Sequence, residues 1–132
     1  MSIESLIPCV LTNRIEETRA FYLEHFGLEL TWDSEHYIGF RSRDAKRPFQ
    51  LAFRAPHPGE PTFAGGLSYA FEVADVDKEH ARLTREGVRV LGAPKDNPWG
   101  DRSFVVLDPN GVGLYVNQPI PVAAEMAAFV RS

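Results

Sequence analysis

The chain has 132 residues, of which 44% are hydrophobic and 24% charged, and its net charge at pH 7 is −4. These values are typical of a soluble globular domain that can bury a hydrophobic core without disulfides. The negative charge and the lack of a lysine- or arginine-rich stripe argue against a nucleic-acid partner. No apolar run approaches the ~18 residues that span a membrane, so we expect no membrane partner either.

Cysteine content and the first residues bear on the compartment. The single cysteine, Cys9, rules out an internal disulfide, and MSIESLIPCV lacks the basic and apolar regions of a secretion signal. We therefore expect a cytoplasmic protein. Because Cys9 lies in an apolar run, we expect its thiol to be buried and unreactive.

The first half of the chain predicts a strand, a helix and three further strands. A short apolar strand in LIPCVLT precedes NRIEETRAFYLEHF, where Asn13 and Glu16 form a capping pattern typical of a helix start. Helical spacing puts four side chains on one face: Ile15, Thr18, Tyr22 and Phe26. Gly27 is placed to end the helix. The three strands are predicted in LELTW, HYIGFR and FQLAFR.

The second half repeats this order. LSYAFEV predicts a strand, and Asp75 is placed to cap a helix with Val76, His80 and Leu83 on one face. Gly87 ends this helix, 60 residues after Gly27, and three strands follow in VRVLG, RSFVVLD and VGLYVN. The repeat predicts one α+β domain over residues 1–132, built from two βαβββ modules. Its parts are a first module at 6–54, a linker at 55–65, a second module at 66–118 and a C-terminal helical tail at 119–132.

Alternation along the strands predicts which side chains face the helices. LELTW would place Leu28, Leu30 and Trp32 on one side. FQLAF would place Phe49, Leu51 and Phe53 on one apolar face, and SYAFEV would place Tyr69, Phe71 and Val73 on a face suited to packing under helices. The opposite face of each sheet is then mixed in character. Two small curved sheets with such faces, and with helices outside, can enclose a cavity for a small molecule.

At this point the chain resembles the vicinal oxygen chelate superfamily, which includes glyoxalase I, bleomycin-resistance proteins and extradiol dioxygenases. Three segments carry the resemblance: TRAFYLEHFGLEL, FEVADVDKEHARLTREGV and NPWGDRSFVVLDPNGVGLYVNQP. It covers about residues 6 to 120, and the last segment is most similar to bacterial bleomycin-resistance-like proteins. The resemblance implies two βαβββ modules around a cavity.

In enzymes of this superfamily, His, Gln or Glu side chains from four strands hold a divalent metal. The resemblance maps these positions onto Ile7, Gln50, Ser68 and Tyr115. An alkyl group donates nothing to a metal, and a serine hydroxyl, an amide and a phenol are poor ligands. The histidines do not supply a replacement set, because His25 and His80 fall on helices, His36 at a strand start and His57 in the linker. We therefore expect no metal and no other cofactor.

Metal-free members of the superfamily bind flat antibiotics between two subunits, and the resemblance therefore implies a homodimer with a small-molecule ligand. Trp99 in PWGDR offers a flat face for stacking, although it could equally pack into its own core. Arg102 could pair with an anion or stack on a ring. The predicted ligand-binding residues are Trp32, Tyr37, Gln50, Ser68, Trp99, Arg102 and Tyr115.

Three functions stay open at this level. The first is a metal-independent protein that binds or sequesters an apolar or aromatic molecule. The second is a lyase, isomerase or dioxygenase that holds a metal through unexpected ligands. The third is a metal-free enzyme that uses Arg102, Tyr115 or Glu72 as acid, base or electrostatic groups. No catalytic residue is assigned, since the chain has no legible Ser-His-Asp or Cys-His pattern.

Overall fold

Each half of the chain forms one four-stranded mixed sheet with a helix on one face. The computed structural model describes residues 1–131, which fall into two compact units, residues 1–65 and residues 66 onward. The first unit contains β1 (Cys9–Leu11), α1 (Ile15–His25), β2 (Glu29–Asp33), β3 (Tyr37–Arg41) and β4 (Gln50–Arg54). The second contains β5 (Ser68–Glu72), α2 (Val76–Arg85), β6 (Val90–Asn97), β7 (Asp101–Leu107) and β8 (Gly113–Pro119). This order confirms the predicted α+β fold of two βαβββ modules.

The two sheets have the same topology. Their strand orders are β1-β4-β3-β2 and β5-β8-β7-β6. In each sheet the strand before the helix pairs in parallel with the last strand of its unit, and the other pairs are antiparallel. No helix within residues 1–131 is long and apolar enough to cross a bilayer.

The core of each unit lies between its helix and its sheet. In the first unit Tyr22 of α1 is fully buried, and its ring lies 5.6 Å from the ring of Phe40 and 5.3 Å from that of Phe53. In the second unit Val76 and Leu83 of α2 are buried, as are four side chains of β7 and β8: Phe104, Val106, Leu114 and Val116. The helix faces predicted from the apolar spacing are therefore the ones that pack.

The ends of the two helices differ in how well the sequence predicted them. Asp75 caps α2 as expected, because its carboxylate accepts a hydrogen bond from the backbone N–H of Lys78 at 3.1 Å. The predicted cap at Asn13 is wrong: α1 begins after Arg14, and the Arg14 backbone N–H donates to the Thr12 hydroxyl at 2.8 Å. The Thr12 contact lies just before the helix, and the capping residue Arg14 makes no side-chain cap hydrogen bond.

A bulge in β2 reverses the predicted position of Trp32. Leu30 lies opposite Phe40 and faces the helix, but the register shifts before Trp32, which lies opposite Gly39. A one-residue shift moves a side chain to the other face of a sheet. Trp32 is consequently 62% exposed on the mixed face, and the expectation that it shares a face with Leu30 is wrong.

One further expectation, the burial of Cys9, differs from the structure. Cys9 is exposed rather than buried, because it lies on the mixed face of its sheet opposite Ala52. Partial burial nevertheless raises the pKa of its thiol, and nearby Arg54 opposes this effect. The predicted tail at 119–132 contains a short 3-10 helix at Ala124–Phe129 in which no residue is buried, and Ser132 lies outside the described residues.

Candidate functional site

Five side chains meet on the mixed face of the second sheet, which is the face turned away from α2. Asn97 of β6 pairs with Asp101 of β7, and Ser103 follows two residues later on the same face. Tyr115 of β8 pairs with Val105, next along that face. Trp99 lies in the turn between β6 and β7. These residues, Asn97, Trp99, Asp101, Ser103 and Tyr115, are referred to below as the Trp99 cluster.

The Asp101 carboxylate is the centre of the Trp99 cluster. One of its oxygens, Oδ1, accepts the Tyr115 hydroxyl proton at 2.8 Å and an Asn97 amide proton at 2.9 Å. The other, Oδ2, accepts the indole N–H of Trp99 at 3.2 Å. The Asn97 amide also donates to the Ser103 hydroxyl at 2.8 Å, and both of these side chains are buried. Three neutral donors therefore fix the carboxylate.

Trp99 combines exposure with a fixed orientation. Its indole N–H reaches the Tyr115 hydroxyl oxygen at 3.1 Å as well as the carboxylate, yet the residue is 56% exposed. The alternative that Trp99 packs into its own core is therefore wrong. An aromatic ring that is held at its N–H edge and open on its surface can stack on a flat ligand without losing conformational freedom.

The chain after β8 holds the turn that carries Trp99. The Ile120 N–H donates to the Gly100 carbonyl and the Ala123 N–H to the Pro98 carbonyl, both at 2.9 Å. Gly100 has a φ of 110°, and a Cβ there would lie 2.8 Å from a methyl group of Val122. The turn therefore requires glycine, both for its backbone angle and for the close approach of the tail.

Ser68 lies on the same face as Tyr115, one strand away. β5 and β8 pair in parallel with Ser68 opposite Gly113 and Ala70 opposite Tyr115, so Ser68, Ala70 and Glu72 extend the face beyond the Trp99 cluster. All three are exposed. Asn117, opposite Glu72, donates its side-chain amide to the Tyr115 carbonyl at 3.2 Å. This part of the face is open, and Glu72 is its charged side chain.

Arg102 does not belong to this face. Its guanidinium binds Asp77, at the start of α2, through two hydrogen bonds of 2.9 and 3.1 Å, and it binds Asp96 at 3.1 Å. These contacts raise the pKa of Arg102, and the guanidinium lowers the pKa of Asp77. The structure therefore places Arg102 on the helix side of the sheet as a link between α2 and β6.

The other predicted residues lie on the mixed face of the first sheet. Gln50 pairs with Arg41, Tyr37 with Arg54 and Trp32 with Gly39, so that Trp32 and Tyr37 flank the glycine. A Cβ at Gly39 would lie 3.7 Å from the Cβ of Trp32 and 3.6 Å from the Tyr37 ring. The Thr31 hydroxyl oxygen would lie closer still, at 2.5 Å, so glycine is needed here for the close approach of the β2 bulge.

An open cleft of ≈ 340 Å³ lies beside Tyr37 in the first unit. Its walls are formed by His36, Tyr37, Arg54, Ala55, Pro56 and His57. The Arg54 guanidinium is occupied by a two-point ion pair with Glu60, at 2.8 and 3.0 Å. This pair, together with the His57 backbone N–H, lowers the pKa of Glu60 to about 2. Arg54 thus fastens the segment after β4 to the sheet.

The residues at the superfamily's metal positions do not fit a divalent metal. In the second unit Ser68 offers a neutral hydroxyl, and the Tyr115 phenol donates its proton to Asp101. In the first unit Ile7 and Gln50 offer an alkyl group and one amide. Within residues 1–131, no three His, Cys, Asp or Glu side chains lie close enough together to hold a metal ion. The chemistry of this donor set suits hydrogen bonding and stacking.

Sequence reasoning missed three members of the Trp99 cluster: Asn97, Asp101 and Ser103. The predicted strand VRVLG ended at residue 92, whereas β6 continues to Asn97 with a register shift between Leu91 and Lys95. A longer β6 would have paired Asn97 with Asp101 across the turn. The available signal was the two-residue spacing of Asp101 and Ser103 in β7, which puts both on one face of the strand.

The model of the Glyoxalase/Bleomycin resistance protein/Dioxygenase superfamily matches residues 6–116. The chain therefore belongs to this superfamily, which confirms the resemblance found in the sequence.

The chain is also similar to solved structures and to curated relatives. TnmS3, an antibiotic binding protein from Streptomyces sp. CB03234, is 30% identical with a TM-score of 0.70, over 90% of this chain and 98% of that one. A bleomycin resistance determinant encoded on the transposon Tn5 is 22% identical with a TM-score of 0.67, over 89% and 98% of the two chains, and shares the fold. An uncharacterized protein of Mycobacterium bovis is 39% identical over 62 residues, which are 46% of this chain and 41% of that protein. The match thus spans less than half of that relative.

Proposed function

We propose that this chain is a metal-independent small-molecule-binding protein that holds a largely apolar or aromatic ligand against the mixed face of its second sheet. The observation that carries the proposal is the exposed Trp99 ring, which is fixed at its N–H edge by Asp101 and Tyr115. A pre-oriented ring with a few hydrogen-bonding groups beside it is typical of sites for flat ligands.

The position of Tyr115 supports binding over metal catalysis. In the superfamily's enzymes this position supplies a metal ligand, whereas here the phenol donates to Asp101 and accepts from Trp99. The likeness to TnmS3, whose name describes an antibiotic binding protein, supports the same class of function. On the first sheet Trp32 and Tyr37 offer a second aromatic surface for a ligand.

We also propose that the protein is a cytoplasmic homodimer. The dimer follows from the resemblance to metal-free members that bind between subunits, and the single cysteine supports a reducing compartment. Light scattering coupled to size exclusion should give the mass of two chains, and a single-chain mass at micromolar concentration would contradict the dimer.

A ligand screen with matched tryptophan variants tests the binding function. We expect planar aromatic antibiotics to raise the melting temperature and to quench tryptophan fluorescence, because a bound ligand stabilises the folded state by mass action. Trp99→Ala should abolish both effects. The chain has only two tryptophans, so a Trp32→Phe background assigns the signal to Trp99.

The same screen in EDTA separates binding from metal dependence. We expect the ligand-induced shifts to be unchanged after chelation, since the donors at the metal positions do not suit a divalent ion. A panel of planar aromatics that leaves the melting temperature unmoved would contradict the binding function. A shift that disappears in EDTA and returns with zinc, nickel, iron or manganese would contradict metal independence.

A further inference from the structure

We infer that this site selects planar aromatic ligands that carry a cationic N–H donor, such as an amino group conjugated to a protonated ring nitrogen, and that Asp101 sets this preference. The inference rests on the proposed function and specifies the chemical class of its ligand. It follows from which hydrogen-bonding groups of the Trp99 cluster remain available, and from how the carboxylates of this unit are neutralised.

The first step is the hydrogen-bonding capacity left for a ligand. The Tyr115 hydroxyl donates its proton to Asp101, and its oxygen lies within reach of two donors, Asn97 at 3.3 Å and Trp99 at 3.1 Å. The indole N–H of Trp99 is also used. Asn97 and Ser103 are buried. A hydroxyl oxygen has two lone pairs and a carboxylate about four, so the capacity that remains is that of an acceptor, on Asp101.

The second step is the charge on that acceptor. Asp77 and Asp96 on the helix side of the same sheet are both paired with Arg102, at 2.9 and 3.1 Å. Asp101, by contrast, has three neutral donors, and within residues 1–131 no lysine or arginine nitrogen lies within 4.0 Å of it. Among these residues, the negative charge of Asp101 therefore has no cationic partner of the kind that Asp77 and Asp96 have in Arg102.

The other charged groups on this face do not give the site a preference for anionic ligands. Lys95, opposite Ser103, and Glu72, at the far side of the face, are both exposed and contribute opposite charges. The carboxylate of Asp101 is half-buried and therefore less screened by solvent than either.

The third step is the position of this charge beside a stacking surface. Because the indole N–H of Trp99 lies 3.2 Å from the carboxylate, a ring stacked on Trp99 has its edge near Asp101. The N–H donor of a cationic ring at that edge would donate to the carboxylate, and the positively charged ring gains further attraction from the indole face. An anionic substituent would face the same carboxylate and be repelled.

The test uses three probes with one ring system. Calorimetry would compare 9-aminoacridine, acridine and acridine-9-carboxylate at a pH where they are cationic, neutral and anionic. We expect the cation to bind about fivefold more tightly than the neutral ring, which corresponds to a charge contact at the upper end of the range for exposed pairs, and the anion to bind more weakly than either. Added salt should reduce the preference.

Two matched variants assign the preference to its residue. In Asp101→Asn the ratio of cation to neutral affinity should fall toward one. If Trp99 becomes more mobile in this variant, the affinities of both probes fall equally and their ratio does not change. Asp96→Asn, which removes a carboxylate on the opposite side of the sheet, should keep the wild-type ratio.

The outcomes separate the inference from the function it rests on. If the neutral ring binds and requires Trp99, but the cation binds no more tightly or Asp101→Asn keeps the preference, the inference is overturned and the binding function stands. If none of the probes and no other planar aromatic binds, both are overturned.

Discussion

Replacing Tyr115 with phenylalanine removes one oxygen from the centre of the Trp99 cluster. The hydroxyl donates to Asp101 at 2.8 Å and lies within reach of donors on Trp99 and Asn97 at 3.1 and 3.3 Å. The phenylalanine ring fills the same space, so the change isolates the hydrogen bonds. Trp99 keeps one acceptor, the Asp101 oxygen at 3.2 Å.

The expected cost follows from the kind of bond that is lost. A hydrogen bond to a charged group contributes ~1.5–3 kcal/mol, and because both partners are only half-buried we expect ~1–2 kcal/mol of lost stability. At ~2.1 cal/mol/K per residue, the unfolding entropy of the 132-residue chain is about 280 cal/mol/K. The melting temperature should therefore fall by about 4–7 °C.

Calorimetry and fluorescence together measure this effect. In a Trp32→Phe background, Tyr115→Phe should lower the melting temperature and also the fluorescence anisotropy of Trp99, because the indole loses one of its two acceptors. Tyr37→Phe is the matched control, since the Tyr37 hydroxyl has no hydrogen-bond partner within residues 1–131. A Tyr115→Phe protein that melts within 1 °C of the wild type would refute the reasoning.

Three further substitutions test other parts of the structure. Arg102→Ala should lower the melting temperature, because it leaves Asp77 unpaired, and should leave ligand affinity unchanged; reduced affinity would place Arg102 in the site. Glu60 has a pKa of about 2, below its usual 4.5, so its stabilising effect is present above pH 4.5 and lost as pH falls toward 2; Glu60→Gln should flatten acid unfolding curves in that window. Gly39→Ala should destabilise by ~1–3 kcal/mol, because its Cβ would lie 2.5 Å from the Thr31 hydroxyl oxygen, and Thr31→Ala should relieve part of this in chemical denaturation.

Periodicity predicted most of the fold because each helix buries one apolar stripe against one sheet face. Ile15, Thr18 and Tyr22 are buried as their spacing required, and Gly27 and Gly87 end the helices with positive φ, at 60° and 79°. These features depend on residues close together in the sequence. They could therefore be predicted without knowing which distant residues are in contact.

Two of the errors arose where extra residues changed the register, one residue in β2 and two in β6. The bulge in β2 puts Thr31 and Trp32 together opposite Gly39, and only a glycine accepts the Thr31 side chain at that point. The shift in β6 between Leu91 and Lys95 likewise lengthened the strand and brought Asn97 into the site. Neither shift is visible from alternation alone, because a bulge depends on what the neighbouring strand offers.

The Trp99 cluster shows why a single position was a poor guide to function here. Tyr115 alone could be a core tyrosine, an altered metal ligand or a wall of a pocket. Its proton points to Asp101, whose other donors come from β6 and from the turn that carries Trp99. Two backbone hydrogen bonds of 2.9 Å hold this turn against residues 120–123. Tyr115, at the metal position, therefore belongs to a hydrogen-bond network that holds the exposed indole ring of Trp99 in one orientation. This network favours a binding site over a metal site that has only lost its ligands.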